Sequence, residues 1–360
     1  MTESTHNTPF TRPVWSDKEL LECVSVYPEG PNTCSFTFRA TSGALFDFDP
    51  GQFLTLEIPT GSGTVHRTYT ISSSPSRPRT ITITAKAQND SIGTRWMLDN
   101  LKNGMRLKAI GPSGSFSNTR SKSKKFLFIS AGSGITPMMS MTTCLWDEGQ
   151  ALDIVFISCA RVPSELLFRQ SLEYMANRTT GLNLRFVVEK AELYQPWTGY
   201  QGRLDQEMLR QMTPDYLDRE VYCCGPEQFM QSVSKALSDT AYDMDRYHQE
   251  SFGAAAPPSK QQAKLADKSL TCDGCAEVHF EKSDVLHKCA ESDTILTAAK
   301  LAGVSIPAGC TFGLCGTCKI KKVSGEVHMA HSGGISEPDI QAGYILACCS
   351  TPIGKVSVEI

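Results

Sequence analysis

The stretch that decides the fold is AGCTFGLCGTCKIKKVSGEVHMAHSGGISEPDIQAGYILACCS, residues 308–350. Within it Cys310, Cys315 and Cys318 fall as C-x4-C-x2-C, and twenty-nine residues separate Cys318 from Cys348. Four thiolates at that spacing suit a plant-type [2Fe–2S] cluster, in which each iron is tetrahedral. A short loop brings three sulfurs to the irons. Gly309, Gly313 and Gly316 keep that loop free of Cβ atoms, so its amides can approach the bridging sulfides. The fourth ligand arrives from the apolar run YILACC, where spacing favours Cys348 over Cys349. A zinc site is the competing reading, but zinc is usually held by two short Cys/His pairs, and here a triple is joined by one distant cysteine. His328 and His331 lie between the ligands without ligand spacing and read as surface residues.

The 360 residues suffice for more than one domain core. Apolar residues make up 40% and charged residues 20%, as in soluble globular proteins, and a net charge of −3 implies neither nucleic acid nor a membrane surface as partner. No apolar run reaches the length of a membrane span, and the N-terminal stretch lacks a basic-then-apolar signal pattern. Fourteen cysteines in such a chain point to a reducing compartment, where thiols serve metals or chemistry, so a cytoplasmic location is expected.

Upstream of the cysteine loop the chain changes character twice. From Glu19 to about residue 120, short alternating segments dominate: LLECVSVY, CSFTFRA, FLTLEI, RTYTISS, TITITAKA and RLKAIGP. Bounded by Gly, Pro, Asn or Asp, they predict an antiparallel barrel or sandwich, with one helix in SIGTRWMLDNLKNG. The strand ending Arg67-Thr68-Tyr69-Thr70 can aim a cation, an aromatic plane and a hydroxyl at one ligand. Lys86 is followed by Gly93-Thr94 at the helix start, where free amides suit a pyrophosphate. From residue 121 the pattern becomes strand–helix alternation, which predicts a parallel sheet with helices on both faces. Its first turn, Gly132-Ser133-Gly134-Ile135-Thr136-Pro137, brings backbone amides close to phosphate, and Pro137 suits a first helical turn. A helix is expected from Leu166 to Met175. Cys223-Cys224-Gly225-Pro226 ends the last predicted strand, and Tyr247 to Gly253 closes the domain.

AAAPPSKQQAKLADKSL reads as a linker. The C-x-x-C pair Cys272 and Cys275 at its end is either a redox pair, half a zinc site or, as favoured here, two surface thiols. AEVHFEK and VLHKCAE predict a hairpin, Ser292 to Ala302 an amphipathic helix, Ser336 a helix cap and KVSVEI a closing strand: the β-grasp order ahead of and after a cluster loop.

PGQF, RTYT and GPSGSF, in that order, make residues 1–120 resemble the FAD domain of the ferredoxin–NADP reductase superfamily, and G-S-G-I-T-P with C-G-P resemble its paired nicotinamide motifs. This resemblance implies that Arg67 pairs with the flavin phosphates, that Tyr69 packs on the isoalloxazine and that Thr70 bonds near its N5. Lys86, Gly93 and Thr94 would be further phosphate contacts. Gly132 and Gly134 would cradle the nucleotide, Thr136 and Cys224 would flank the nicotinamide, and Gly225 and Pro226 would shape its floor. Glu250, Ser251 and Phe252 would lie where hydride reaches the flavin, and His248 is read as structural.

The whole order is a FAD-binding β-barrel at 1–120, an NAD(P)H-binding α/β domain at 121–253, a linker at 254–275 and a [2Fe–2S] ferredoxin domain at 276–360. It resembles the reductase components of Rieske-type oxygenases. RTYTISSSPS, GITPMMSM, YHQESFGA, GEVHMAHSGGI and GYILACCSTP resemble those serving glycine betaine monooxygenases in particular. The resemblance implies electron transfer from NAD(P)H through FAD and the cluster to a separate Rieske-type non-haem iron oxygenase. Hybrid-cluster protein and aromatic-ring oxygenases are alternative acceptors, and a non-enzymatic zinc-binding or redox-sensing protein is a distant alternative. The resemblance leans to NADH, whereas Arg161 at the end of the second strand of the α/β domain suits the 2′-phosphate of NADPH.

Overall fold

Alternating apolar and polar residues in the first third of the chain form six antiparallel strands: β1 (Leu21–Gly30), β2 (Thr33–Ala40), β3 (Phe53–Thr60), β4 (Gly63–Thr70), β5 (Ile81–Lys86) and β6 (Arg106–Ser113). In the computed structural model, residues 13–61, 63–88, 91–149, 151–252, 275–308, 313, 316–331 and 334–360 are described. The six strands run in the order β4-β3-β6-β1-β2-β5. The ends approach each other where Ile71 bridges Ile83 and the Ser72 amide donates to Thr82 O at 2.8 Å, which rolls the sheet into a barrel. One set of side chains, among them Phe36, Phe38, Leu54, Leu56, Ile58 and Ile83, fills the interior. Helix α1 (Ile92–Asn100) plugs it with Met97.

The middle of the chain forms an all-parallel sheet of β7 (Phe126–Ala131), β8 (Ile154–Ala160), β9 (Leu182–Val188), β10 (Tyr200–Gln201), β11 (Glu220–Cys224) and β12 (Tyr247–Glu250), in the order β10-β9-β8-β7-β11-β12. Both faces are covered, as such a sheet requires. On β7, Phe126 and Phe128 face α2 (Ile135–Asp147) and α3 (Arg169–Ala176), whereas Leu127 and Ile129 face α4 (Gln206–Met212) and α5 (Glu227–Ser238). The helix expected from Leu166 starts only at Arg169, because Phe168 adopts a left-handed φ of 55° that a helix does not continue through.

The third unit is a mixed sheet of β13 (Cys275–Phe280), β14 (Val285–Ala290), β15 (Lys319–Met329), β16 (Tyr344–Leu346) and β17 (Ser350–Val358), in the order β14-β13-β17-β15-β16. Its β13–β17 pair is parallel and the others antiparallel. Helix α6 (Ile295–Leu301), capped by Thr294 Oγ1 on the Thr297 amide, buries Ile295, Ala298 and Ala299. Helix α7 (Glu337–Gln341) is capped by Ser336 as its sequence predicts. This is the β-grasp arrangement. The antiparallel barrel, the parallel α/β sheet and the β-grasp together are the multidomain architecture expected from sequence. Strand β15 was not legible, because KIKKVSGEVHM carries polar side chains on both faces. Cys310, Cys315, Cys272 and residues 254–274 of the linker expected at 254–275 lie outside the described residues, while Cys275, of which only the backbone is described, already begins β13. Among the described residues, no helix is long and apolar enough to cross a membrane.

Candidate functional site

Strand β4 is one edge of the barrel, and α1 lies against it. Register pairs Arg67 with Leu56 and Tyr69 with Leu54, so both point to the face on which α1 packs. Tyr69 Oη and Thr94 Oγ1 are 2.9 Å apart, and burial pushes the Tyr69 phenol up to about 12. A Cβ on Gly93 would stand 2.8 Å from Val65 Cγ2 and 3.2 Å from Arg67 Cγ, so the first turn of α1 rests directly on the strand. No side chain caps α1 and no acid occupies its first turn. Arg67 donates to the His66 carbonyl at 2.8 Å and has no acidic partner among the described residues. An uncapped helix start beside an unneutralised guanidinium and a tyrosine plane fits a dinucleotide diphosphate joined to a flat ring system.

Lys86 does not join this group. Its ammonium is committed to Glu165 Oε2 at 2.8 Å, and the same carboxylate takes Arg161 Nη2 at 2.8 Å. Burial would raise the Glu165 carboxyl, but hydrogen bonds from Lys86 and Arg161 outweigh it and hold it below the usual range. Sequence reading missed Glu165 because nothing local in RVPSELL ties it to a lysine seventy-nine positions away.

The second half of the site sits where the chain switches direction in the parallel sheet. β7 is flanked by β8 on one side and β11 on the other, so the turns leaving β7 and β11 diverge and leave a crevice between them. Register sets Ser130 beside Cys224 and Cys224 beside Glu250. Gly134 makes this possible: a Cβ there would stand 2.3 Å from Cys224 O. The start of α2 lacks a side-chain cap, while buried Thr136 donates to Ser133 O at 3.0 Å. Pro226 directly precedes α5. Cys224 is fully buried, and burial together with the neighbouring Glu250 raises its thiol well above the ordinary range. Glu250 is 6% exposed, neither of its carboxylate oxygens has a hydrogen-bond partner in the described structure, and burial pushes it up to about 8. An orphaned carboxyl at the end of β12 fits a site completed by a polar ligand. Phe252, two residues on, is 44% exposed.

The two halves face each other along α2. Ser140 Oγ donates to Ser73 O at 2.6 Å, one turn past Thr136 on one side and three residues past Thr70 on the other. At the far end of α2, Arg77 and Asp147 pair at 2.6 Å.

The cysteine loop belongs to the third unit. Lys319 pairs with Leu346, and the Ala347 amide donates to Cys318 O at 3.0 Å, so the β15–β16 pairing carries Cys318 and Cys348 to the same end of the sheet. Both are buried. The Gly313 amide donates to Cys348 Sγ at 3.2 Å, as it would to a ligating thiolate. Gly313 has φ 76°, and a Cβ on it would stand 2.7 Å from Cys349 Sγ, so both its conformation and its surroundings demand glycine. These donors and this cradle fit an iron–sulfur cluster. The loop also touches the barrel: Thr317 Oγ1 lies 3.4 Å from Thr55 Oγ1 on β3. Thr55 was not singled out in the sequence, although its place between Leu54 and Leu56 already put it on the opposite face of the strand.

Comparison with known proteins agrees with this division. The family described as oxidoreductase FAD-binding domain matches residues 24–118, that described as oxidoreductase NAD-binding domain matches 128–235, and that described as 2Fe-2S iron-sulfur cluster binding domain matches 278–352. The chain is 56% identical to the stachydrine N-demethylase reductase subunit of Rhizobium meliloti over 96% of its own length and 97% of the relative's. It is 39% identical to the glycine betaine monooxygenase reductase subunit of Chromohalobacter salexigens over the full length of both. Phthalate dioxygenase reductase shares the fold at 21% identity, with a TM-score of 0.60 over 96% of this chain and 100% of that one.

Proposed function

This chain belongs to the family of flavin- and iron–sulfur-dependent reductase subunits of oxygenases, and we propose that its acceptor is a Rieske-type non-haem iron oxygenase that demethylates a betaine. It is an NAD(P)H-dependent oxidoreductase whose cofactors are FAD and a [2Fe–2S] cluster. When bound, the nicotinamide supplies a hydride, the flavin divides that pair into single electrons, and the cluster delivers them one at a time.

The protein's part is to bind and orient. Arg67 and the amides at Gly93 and Thr94 hold the flavin diphosphate. Tyr69 offers its plane and Thr70 its hydroxyl to the ring system. Gly132, Gly134 and the start of α2 take the nucleotide diphosphate, while Thr136, Cys224, Gly225 and Pro226 line the nicotinamide. Glu250 and Phe252 close the place where the two rings meet, and the burial of Cys224 and Glu250 keeps water from it. Cys310, Cys315, Cys318 and Cys348 hold the irons. Lys86 acts as a strut to Glu165 and is not counted among the phosphate contacts. NADH is the favoured donor, because the guanidinium suited to a 2′-phosphate, Arg161, already serves Glu165. Fourteen cysteines support a cytoplasmic location.

The full-length likeness to the stachydrine N-demethylase reductase carries this reading. Its higher identity supports a stachydrine-type oxygenase over a glycine betaine one as acceptor. The test is anaerobic reduction of the purified protein by NADH and then NADPH, followed spectroscopically, with each oxygenase then added as acceptor. Flavin and iron–sulfur bands that bleach with NADH, and a stachydrine N-demethylase that turns over with the reduced protein, are expected. A protein with neither set of bands overturns the electron-transfer reading, and turnover of a glycine betaine oxygenase alone overturns the choice of acceptor.

A further inference from the structure

The hydroxyl contact between Thr317 of the cysteine loop and Thr55 of the barrel lies in a short ladder. Thr317 precedes Cys318 directly. Its Oγ1 is 3.4 Å from Thr55 Oγ1, and Thr55 Oγ1 is 3.0 Å from Thr68 Oγ1 on the neighbouring strand. Thr55 and Thr68 are register partners on β3 and β4, and Thr68 stands between Arg67 and Tyr69. Thr55 is 1% exposed, so this spot on the barrel is covered. The ladder occupies the sheet face opposite the one that carries Arg67, Tyr69 and α1, and it reaches Tyr69 through one peptide unit.

We propose that Thr55 is the seat of the cluster loop on the flavin domain, and that the Thr317–Thr55 contact is a positioning contact fixing how the cluster stands relative to the flavin. The inference rests on the proposed FAD and cluster sites. Its physical basis is that electron transfer between two centres falls steeply with separation and is better coupled through bonds and hydrogen bonds than through space. A loop bound to β3 one residue from a cluster ligand therefore offers a shorter connection than a freely moving ferredoxin domain would. Each NAD(P)H brings two electrons as a hydride, and both cross this junction singly on their way to the acceptor. Threonine suits the seat: its β-branch fits the strand, and two hydroxyls facing each other across an interface pair only when the loop sits in register. A valine keeps the shape and removes the bond.

The experiment uses full-length holoprotein carrying Thr317→Val, Thr55→Val, both changes together, and Thr317→Ser. Flavin reduction by NADH and the subsequent cluster reduction are followed separately by rapid mixing. Hydrogen–deuterium exchange of 316–319 and of β3 reports the docked loop directly. Flavin reduction should be unchanged in all four. Each valine variant should slow cluster reduction by up to about fivefold, since a hydroxyl pair at 3.4 Å is worth at most one neutral hydrogen bond. The double variant should be no slower than either single, because both remove the same contact. Exchange at 316–319 should rise with the valines and be restored by Thr317→Ser. Unchanged cluster reduction and exchange in both single variants, or slowing in the double that equals the product of the two singles, overturns the seat. If NADH reduces neither flavin nor cluster in the unaltered protein, the reductase reading itself has failed, which is a separate result. A Thr55→Val protein lacking flavin bands is replaced by Thr55→Ser, which must behave as the unaltered protein.

Discussion

Lys86 Nζ lies 2.8 Å from Glu165 Oε2, joining the end of β5 in the barrel to the turn after β8 in the parallel sheet. Glu165 also receives Arg161, so one carboxylate binds cations from both units. A lysine neutralised in this way is a poor phosphate ligand, whereas Arg67 has no acidic partner to release among the described residues. Lys86→Met is therefore expected to change FAD affinity by less than about threefold and to lower stability by about 1 kcal/mol, the pair being only partly buried. Arg67→Met should weaken FAD by about tenfold or more, since it removes a charge-assisted bond. Flavin fluorescence titration of the two variants checks this. Equal losses would return Lys86 to the phosphate site.

Glu250 makes stability depend on pH. Its carboxyl titrates near 8 in the folded chain because burial disfavours the charge, against about 4.3 in an unfolded chain. Between those values the folded state holds a proton that the unfolded state has released. Stability from this group is thus complete below the unfolded value and is lost as pH rises through about 8. In flavin-free protein the loss should be on the order of 4 kcal/mol, and Glu250→Gln should abolish it. Thermal unfolding at pH 5 and pH 9 decides the matter: the same slope in both proteins would mean the carboxyl finds a partner.

What could be read from sequence was what is local. The spacing of Cys310, Cys315 and Cys318, the alternation of β1 to β6 and the glycines beside Thr136 each depend on neighbours within a few positions. Tyr69 and Thr94 each stood in a ligand-like motif, but their meeting across twenty-five positions was not legible. Glu165 and Thr55 were not legible. Their roles come from partners seventy-nine and 262 positions distant, and neither stands in a motif. Phe168 shows another limit: its left-handed backbone ends an apolar periodicity that reads as continuous helix. Strand β15 escaped because hydrogen bonding to β16 and β17, more than burial of a face, makes it a strand.

Gly134 tests the crevice between β7 and β11. A methyl group there would stand 2.3 Å from Cys224 O and 2.7 Å from the Gly225 amide, both backbone atoms that cannot move independently. Gly134→Ala should push the two turns apart. NADH-dependent flavin reduction is expected to fall by on the order of a hundredfold, the effect of displacing reacting groups by about 1 Å. Bound FAD should be retained, because the barrel is untouched. Rapid-mixing kinetics beside the visible spectrum separates these outcomes, and a normal reduction rate would place the nicotinamide elsewhere.

The choice between Cys348 and Cys349 is the sharpest test of the cluster loop. Cys348 Sγ accepts the Gly313 amide at 3.2 Å, as a ligating thiolate would, whereas Cys349 Sγ lies 3.7 Å from a carbonyl acceptor, Leu346 O. A metal ligand must be deprotonated, so the two neighbours are set up oppositely. Cys348→Ala should lose the iron–sulfur bands and the paramagnetic signal of the reduced cluster while keeping bound flavin and its reduction by NADH. Cys349→Ala should keep all four. Iron content and the spectrum of the reduced protein are sufficient to read this out. Loss of the cluster in Cys349→Ala as complete as in Cys348→Ala would move the fourth ligand one residue along the chain, and would require the turn after β16 to rotate so that Cys349, not Cys348, meets the Gly313 amide.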